Sequence, residues 1–128
     1  MAATVALTGI AGSGTAHAQP PPPGTLCNYN LSPPQVINVS GTDMVTATLA
    51  PAGCAGAFRP YASVACVQLQ GDQATKCSQA RGADIAQVFF GPYQPGATYI
   101  STGRGLGTLF NDMSEPNWQM LGPIAATL

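Results

Sequence analysis

Apolar and polar residues alternate along several short stretches of the chain, which is the pattern of half-buried β-strands. The clearest case runs from Asp43 to Leu49, where Val45 and Ala47 share one face with Leu49. Both faces of the stretch from Tyr61 to Gln70 are partly apolar, as in a central strand. Alternation and turn residues together predict seven short strands, over residues 36–39, 43–49, 61–70, 75–80, 85–90, 98–103 and 120–128.

The segment from Phe89 to Ser101 has the pattern of a strand, a tight corner and a second strand. Within it, Tyr99 lies four positions after Pro95 and three after Gly96. Tyr93, six positions before Tyr99, supplies an apolar residue. This arrangement resembles the tyrosine corner of immunoglobulin-like and fibronectin type III-like sandwiches, in which the hydroxyl of a Tyr opening the penultimate strand bonds to the backbone a few residues upstream.

The resemblance implies an all-β fold, an immunoglobulin/fibronectin type III-like β-sandwich of about seven antiparallel strands. Tyr99, Pro95 and Gly96 would form its structural corner. A small Greek-key β-barrel shares nearly the same local signals and is the alternative.

Two ambiguities surround this corner. Alternation places Phe89 and Phe90 on opposite faces without showing which of them is buried. If Tyr99 points inward, Ser101 and Gly103 do as well, which leaves few core side chains at that point. A thin core or a β-bulge near Gly103 would resolve the second ambiguity.

Four cysteines, an even number, predict two disulfides in a small exported domain. In a hairpin centred on Gly71-Asp72, Cys66 and Cys77 face each other, because each lies five positions from the turn. A four-residue loop would make them the closer, non-hydrogen-bonded pair that suits a bridge. Cys27 then pairs with Cys54 by elimination, which ties the N-terminal segment to the loop after the second strand. Reduced thiols and a zinc site are the alternatives, but no Cys-x-x-Cys occurs.

The first 18 residues have the features of a secretion signal, with a small-residue apolar run followed by Ala16-His17-Ala18 at the cleavage position. No Lys or Arg precedes Arg59, so the signal would be truncated at its basic start. The apolar run is too short for a spanning helix. Residues 19–26 form a Pro-rich leader and residues 27–128 a single domain. The composition is similar to that of small exported envelope proteins of actinobacteria, mycobacteria in particular.

Charge and residue content argue against several kinds of chemistry. The chain has four Lys and Arg residues, five Asp and Glu residues and a net charge of −1, so we expect no nucleic-acid partner. The only histidine, His17, falls in the signal, which removes the commonest general base. Lys76 is interpreted as a strand charge, and Asp112 and Glu115 as solvated surface and not a glycosidase pair. We therefore predict a protein that is not an enzyme and holds no cofactor and no metal.

Glycine occupies alternate positions in the segment Gly103-Arg104-Gly105-Leu106-Gly107. The segment lacks the Lys-Ser/Thr pair and the following helix of a phosphate-binding loop. Its glycines instead predict a bulge, a turn or a close backbone contact.

The longest predicted loop, from Arg104 to Trp118, is the candidate binding site. It carries Phe110 between an Arg and a Trp, which are residue types that anchor protein interfaces. The outward member of Phe89 and Phe90 would flank this loop. Alternatively, the large apolar side chains of the loop close over the end of the sandwich as core.

We predict an exported, disulfide-stabilised, non-enzymatic binding or envelope-associated module, secreted or held at the cell envelope as a monomer. Its partner would be a protein or an envelope component. The alternatives are a purely structural secreted protein, and a small protease inhibitor or a hydrolase that uses Asp112 or Glu115.

Overall fold

The computed structural model describes residues 27–109 and 112–128, with the backbone alone over residues 112–116. The predicted signal and leader, residues 1–26, and the predicted contact Phe110 lie outside these ranges. The described residues form eight strands and no helix. In chain order the strands are β1 (Cys27–Leu31), β2 (Gln35–Val39), β3 (Thr42–Cys54), β4 (Phe58–Leu69), β5 (Thr75–Arg81), β6 (Ala86–Phe90), β7 (Thr98–Leu109) and β8 (Asp112–Thr127).

Two antiparallel sheets form the domain. In the first sheet β3 pairs with β1, β2 and β6, and the second sheet has the order β5-β4-β7-β8. The sheets are open and do not close into one barrel. The predicted all-β sandwich of antiparallel strands is therefore confirmed, and the barrel alternative is not the one that forms.

The strands are longer and more numerous than the alternation pattern predicts. The pattern misses β1 altogether, and β3 continues past Pro51 to Cys54. The predicted loop from Arg104 to Trp118 is wrong, because β7 continues to Leu109 and β8 begins at Asp112. Glycines at alternate positions of β7 have no side chain, so they erase the alternation by which a strand is recognised.

The core lies between the two sheets and is thin where β7 crosses it. The largest fully buried side chains come from both sheets and include Tyr29, Leu31, Leu49, Val45, Val67, Tyr99 and Gln119. A Cβ atom on Gly105 would lie only 2.3 Å from the Tyr29 ring. A Cβ atom on Gly103 would lie 2.7 Å from Leu49 Cδ1. The glycines of β7 therefore serve a close contact, which is one of the alternatives that their spacing predicts.

Tyr99, Ser101 and Gly103 are predicted to face inward together, which requires a thin core or a β-bulge, and the structure shows both. Tyr99, Ser101 and Gly103 are all buried, and the pairing of β7 with β8 shifts register between Ser101 and Gly103. Leu49 fills the space that Gly103 leaves open. The Ser101 hydroxyl donates a hydrogen bond to the Ser32 carbonyl at 2.9 Å, so this small buried polar residue has a partner.

Tyr99 is fixed by a backbone contact and by an aromatic neighbour. Its hydroxyl accepts a hydrogen bond from the Gln94 N–H at 2.9 Å, a contact of the kind that a corner Tyr makes. The Phe90 ring packs edge-on against the Tyr99 ring, with centres 6.0 Å apart. Phe90 is half-buried and Phe89 is exposed, so Phe90 is the inward member of that pair.

Both predicted disulfides are present, and each joins paired strands of one sheet. Cys66 and Cys77 lie opposite each other on β4 and β5 with Cα atoms 4.1 Å apart, which is close to the spacing of a non-hydrogen-bonded pair. Their connection, residues 70–74, is one residue longer than the predicted loop. Cys27 and Cys54 pair across β1 and β3 with Cα atoms 4.0 Å apart. Cys54 therefore belongs to a strand and not to a loop.

Tyr29 of β1 reaches across the core to the backbone of the second sheet. Its hydroxyl donates to the Leu106 carbonyl at 2.7 Å and accepts from the Tyr61 N–H. These groups are within reach because a bulge at Tyr61 interrupts the pairing of β4 with β7. Burial raises the pKa of Tyr29 to about 12, although the Tyr61 N–H opposes the shift. The Tyr29 N–H donates in turn to the buried Gln119 side chain at 3.0 Å.

We expect the free energy of unfolding to fall as the pH rises from 10 towards 12. The unfolded Tyr29 phenol ionises near pH 10.0, so its stabilising contribution is complete below that pH and is lost as the pH passes the raised folded-state pKa. Two pKa units correspond to about 2.7 kcal/mol. Urea unfolding at about pH 9 and at successively higher pH measures the loss.

The Tyr29→Phe variant is the control for this pH dependence. It should lose about 1–3 kcal/mol below pH 10, because two backbone groups lose their partner. Its stability should then decline less than the parent's at higher pH. An equal decline in both chains would contradict the assignment to Tyr29.

Candidate functional site

The two faces of β7 differ in chemistry. Gly103, Gly105 and Gly107 face the core, so Arg104 and Leu106 face outward from the second sheet. Because β7 lies between β4 and β8, the pairing register decides which side chains lie beside these two residues.

The first row of this outer face is centred on Arg104. Val64 of β4 lies opposite Arg104 on one side, and Met120 of β8 lies opposite it on the other. Gln79 of β5 lies opposite Val64 and completes the row. Residues that lie opposite each other share a face, so all four strands contribute to this row.

The second row is centred on Leu106. Ala62 of β4 and Trp118 of β8 lie opposite Leu106, and Arg81 of β5 lies opposite Ala62. Trp118 is therefore a diagonal neighbour of Arg104, on the next strand and two residues out of register.

A third arginine completes the surface. Arg59 of β4 lies opposite Thr108, which alternation places on the same side of β7 as Arg104. We name the outer surface formed by Arg59, Arg81, Arg104, Trp118 and Met120 the arginine face. It holds three of the four Lys and Arg residues in the chain.

The arginine face has a flat, apolar floor between its long side chains. Ala62, Val64 and Leu106 are buried although they face outward, because they are short and lie between longer neighbours. Trp118 and Met120 remain 48% and 66% exposed. Arg81 and Arg104 are exposed as well. The face can therefore supply guanidinium donors, one indole donor and apolar contact area at the same time.

Negative charge lies elsewhere among the described side chains. Asp43 belongs to β3 in the other sheet and accepts a hydrogen bond from Asn38 at 2.9 Å. Asp72 and Asp84 lie in the connections on either side of β5. Among the side chains that the structure describes, the arginine face therefore contains no carboxylate.

The structure brings two of the predicted binding residues together and places the predicted flanking residue on the other sheet. Arg104 and Trp118 share the arginine face, on paired strands and not in a loop. Phe110 lies outside the described residues. The predicted flanking contact is wrong, because the outward Phe89 lies opposite Thr46 of β3 and so belongs to the other sheet.

Sequence reasoning misses Arg81 and Met120, because it searches for binding residues in loops. Both lie on strands, and both reach the site only through the register of β4, β7 and β8. The available signal is the placement of Arg104 between two glycines that must face the core. That spacing requires Arg104 to face outward once the strand is recognised.

The remaining chemical candidates gain no support from the geometry. The side chains of Asp112 and Glu115 lie outside the described part of the chain. Over residues 27–109 and 117–128, no group of three or more His, Cys, Asp or Glu side chains is placed to hold a metal. The same ranges contain no helix long and apolar enough to cross a membrane.

Two open antiparallel sheets, each stapled by a cross-strand bridge, define a disulfide-stabilised β-sandwich module. Comparison with protein-family models, with curated proteins and with solved structures found no match to this chain. Its function is therefore inferred from the arginine face itself.

Proposed function

We propose that this protein is an exported, non-enzymatic binding module that holds a protein or envelope component against the arginine face. The observation that carries the proposal is the exposure of Trp118 and Met120 beside Arg104 on a regular sheet. Trp, Met and Arg are enriched at protein interfaces, where binding removes their apolar surface from water.

The rigidity of the platform supports binding. β7 is paired along both edges, by β4 and by β8, so the backbone that carries Arg104 is held before any partner arrives. A preordered surface loses less conformational entropy on association than a mobile loop does. The same side chains on an unpaired loop would contribute less affinity.

Export is supported by the two bridges and by the start of the sequence. Disulfides form and persist in oxidising compartments, and bridges in small domains are typical of extracellular proteins. Residues 1–18 also have the features of a secretion signal.

Affinity capture from a cell-envelope extract tests the proposal. The oxidised mature chain, residues 19–128, is immobilised beside an Arg104→Ala/Trp118→Ala variant. We expect a component that saturates the parent and binds the variant at least about tenfold more weakly, since interface Trp and Arg residues often contribute more than about 1.4 kcal/mol each.

A matched control removes exposed apolar side chains away from the arginine face. Ile85→Ser/Phe89→Ser alters residues that are 61% and 36% exposed, and this variant should bind like the parent. Equal loss in both variants would show that general surface hydrophobicity explains the capture. If no component saturates any of the three chains, the purely structural alternative replaces this proposal.

A further inference from the structure

We infer that the partner held by the arginine face is a protein whose docking surface presents carboxylates around an apolar centre. This inference rests on the proposed binding function and specifies the chemistry of the occupant. The surface pattern, with Arg81 and Arg104 on either side of the apolar residues Ala62 and Val64, carries it.

Two of the arginines on this face, Arg81 and Arg104, are available for recognition of carboxylates. In the described part of the chain, the guanidinium groups of Arg81 and Arg104 have no carboxylate partner. A guanidinium binds a carboxylate through two parallel hydrogen bonds, which fixes orientation as well as charge. Two such groups on one rigid sheet would select a partner by the spacing of its acidic side chains.

The strand pairing sets that spacing. Arg81 and Arg104 lie on strands separated by β4 and in adjacent rows of the face. With a strand separation of about 4.8 Å and a rise of about 3.4 Å per residue, their Cα atoms are about 12 Å apart. Ala62 and Val64 of β4, both buried and apolar, lie between them. A complementary surface therefore needs two carboxylates about this far apart with apolar atoms between them.

This pattern favours a protein over a membrane surface or an acidic polysaccharide. A membrane-binding patch typically clusters about four to eight Lys and Arg residues, whereas the whole chain has four. A polysaccharide offers hydroxyl and acidic groups but no large apolar areas. Met120 and the apolar residues Ala62, Val64 and Leu106 would then have no apolar surface to contact. A protein surface supplies carboxylates and apolar atoms together.

Trp118 provides a direct reporter, because it is the only Trp in the chain and lies on the face. Its fluorescence is followed while the oxidised mature chain is titrated with a synthetic peptide that contains Glu-Ser-Leu-Ser-Glu, in which an extended chain places the Leu between the two Glu side chains on one face. The same peptide with Gln in place of each Glu is the uncharged control. We expect a saturable emission change with the Glu peptide and at least tenfold weaker binding of the Gln peptide.

Arginine variants test whether the face recognises the carboxylates. Arg81→Ala/Arg104→Ala should weaken binding of the Glu peptide at least tenfold, and Arg81→Lys/Arg104→Lys should fall between that variant and the parent. Lys76→Ala is the matched control, since Lys76 lies opposite Val67, a residue buried on the core side of β4. It should bind the Glu peptide like the parent.

Several results would overturn the inference. Equal binding of the two peptides, or an equal effect of Lys76→Ala, would exclude carboxylate recognition by this face. Tighter binding of heparin, or of phosphatidylglycerol vesicles, than of the Glu peptide would point to a polysaccharide or to a membrane. If no acidic probe changes the Trp118 emission while envelope capture still depends on Trp118, the partner is not acidic and the proposed binding function stands. If that capture also fails, both proposals fail.

Discussion

Replacement of Gly105 by Ala should lower the free energy of unfolding by about 3 kcal/mol or more, at the upper end of the cost of overpacking a core. The added Cβ atom would lie 2.3 Å from Cδ1 and Cε1 of Tyr29 and 2.5 Å from its Cγ. The Tyr29 ring cannot swing aside cheaply, because its hydroxyl is held by the Leu106 carbonyl at 2.7 Å. Either the sheets separate or this buried hydrogen bond breaks.

Thermal unfolding measures the effect. For a domain of this size, about 3 kcal/mol corresponds to a decrease in Tm of about 12 °C or more. Arg104→Ala, one residue away on the outer face of β7, is the control and should change stability by less than about 0.5 kcal/mol. A Gly105→Ala chain that melts like the parent would show that β1 and β7 do not approach as closely as the structure has them.

Loss of the Cys27–Cys54 bridge should have the second large effect. The bridge joins residues 27 positions apart, and the chain-entropy relation assigns about 3.6 kcal/mol to a loop of that length. Cys27 is also part of the core, because a Cβ atom on Gly107 would lie 2.5 Å from its sulfur. The Cys27→Ala/Cys54→Ala variant would therefore lose both the cross-link and packing.

The Cys66–Cys77 bridge gives the matched comparison. It joins residues 11 positions apart and belongs to the outer side of the second sheet, where Cys77 is exposed. The same relation assigns it about 2.8 kcal/mol, with little packing to add. Urea unfolding of the two double variants should therefore rank Cys27→Ala/Cys54→Ala as the less stable. The opposite order would contradict the placement of Cys27 in the core.

The Cys66–Cys77 bridge and the sandwich could be predicted because their signals are local, and the Cys27–Cys54 bridge follows by elimination. Cys66 and Cys77 are equidistant from one turn, so the hairpin pairs them without knowledge of the rest of the fold. Alternation in β3 likewise assigns inner and outer faces from neighbouring residues alone. In a strand without glycine, the alternation of apolar and polar side chains can be recognised from the sequence.

The role of Tyr29 could not be predicted, because its partners are distant in sequence. Its hydroxyl bonds to Leu106, a separation of 77 residues. The Tyr29 ring packs against Gly105 of β7, and without knowledge of that contact the glycines of β7 are typical of a loop. Their meaning depends on a tertiary contact and not on local pattern.

The candidate site shows the same division between residue type and position. Arg104 and Trp118 are recognisable as interface residues from their chemistry. Arg81 joins them only through two successive strand pairings, from β5 to β4 and from β4 to β7. The pairing register of three strands cannot be read from a single sequence. Sequence analysis therefore assigns Arg104 and Trp118 to a loop, whereas the structure places them on paired strands.

Oxidative footprinting of the complex is the most direct test of the claim that the arginine face binds a partner. Hydroxyl radicals modify exposed Trp and Met side chains readily, and Trp118 and Met120 are 48% and 66% exposed in the free protein. The oxidised chain of residues 19–128 is labelled alone and after saturation with the component captured from envelope extract. We expect Trp118 and Met120 to be protected in the complex while Phe89, on the other sheet, is labelled as before. Protection of Phe89 with unchanged labelling of Trp118 and Met120 would place the binding surface elsewhere and contradict the account.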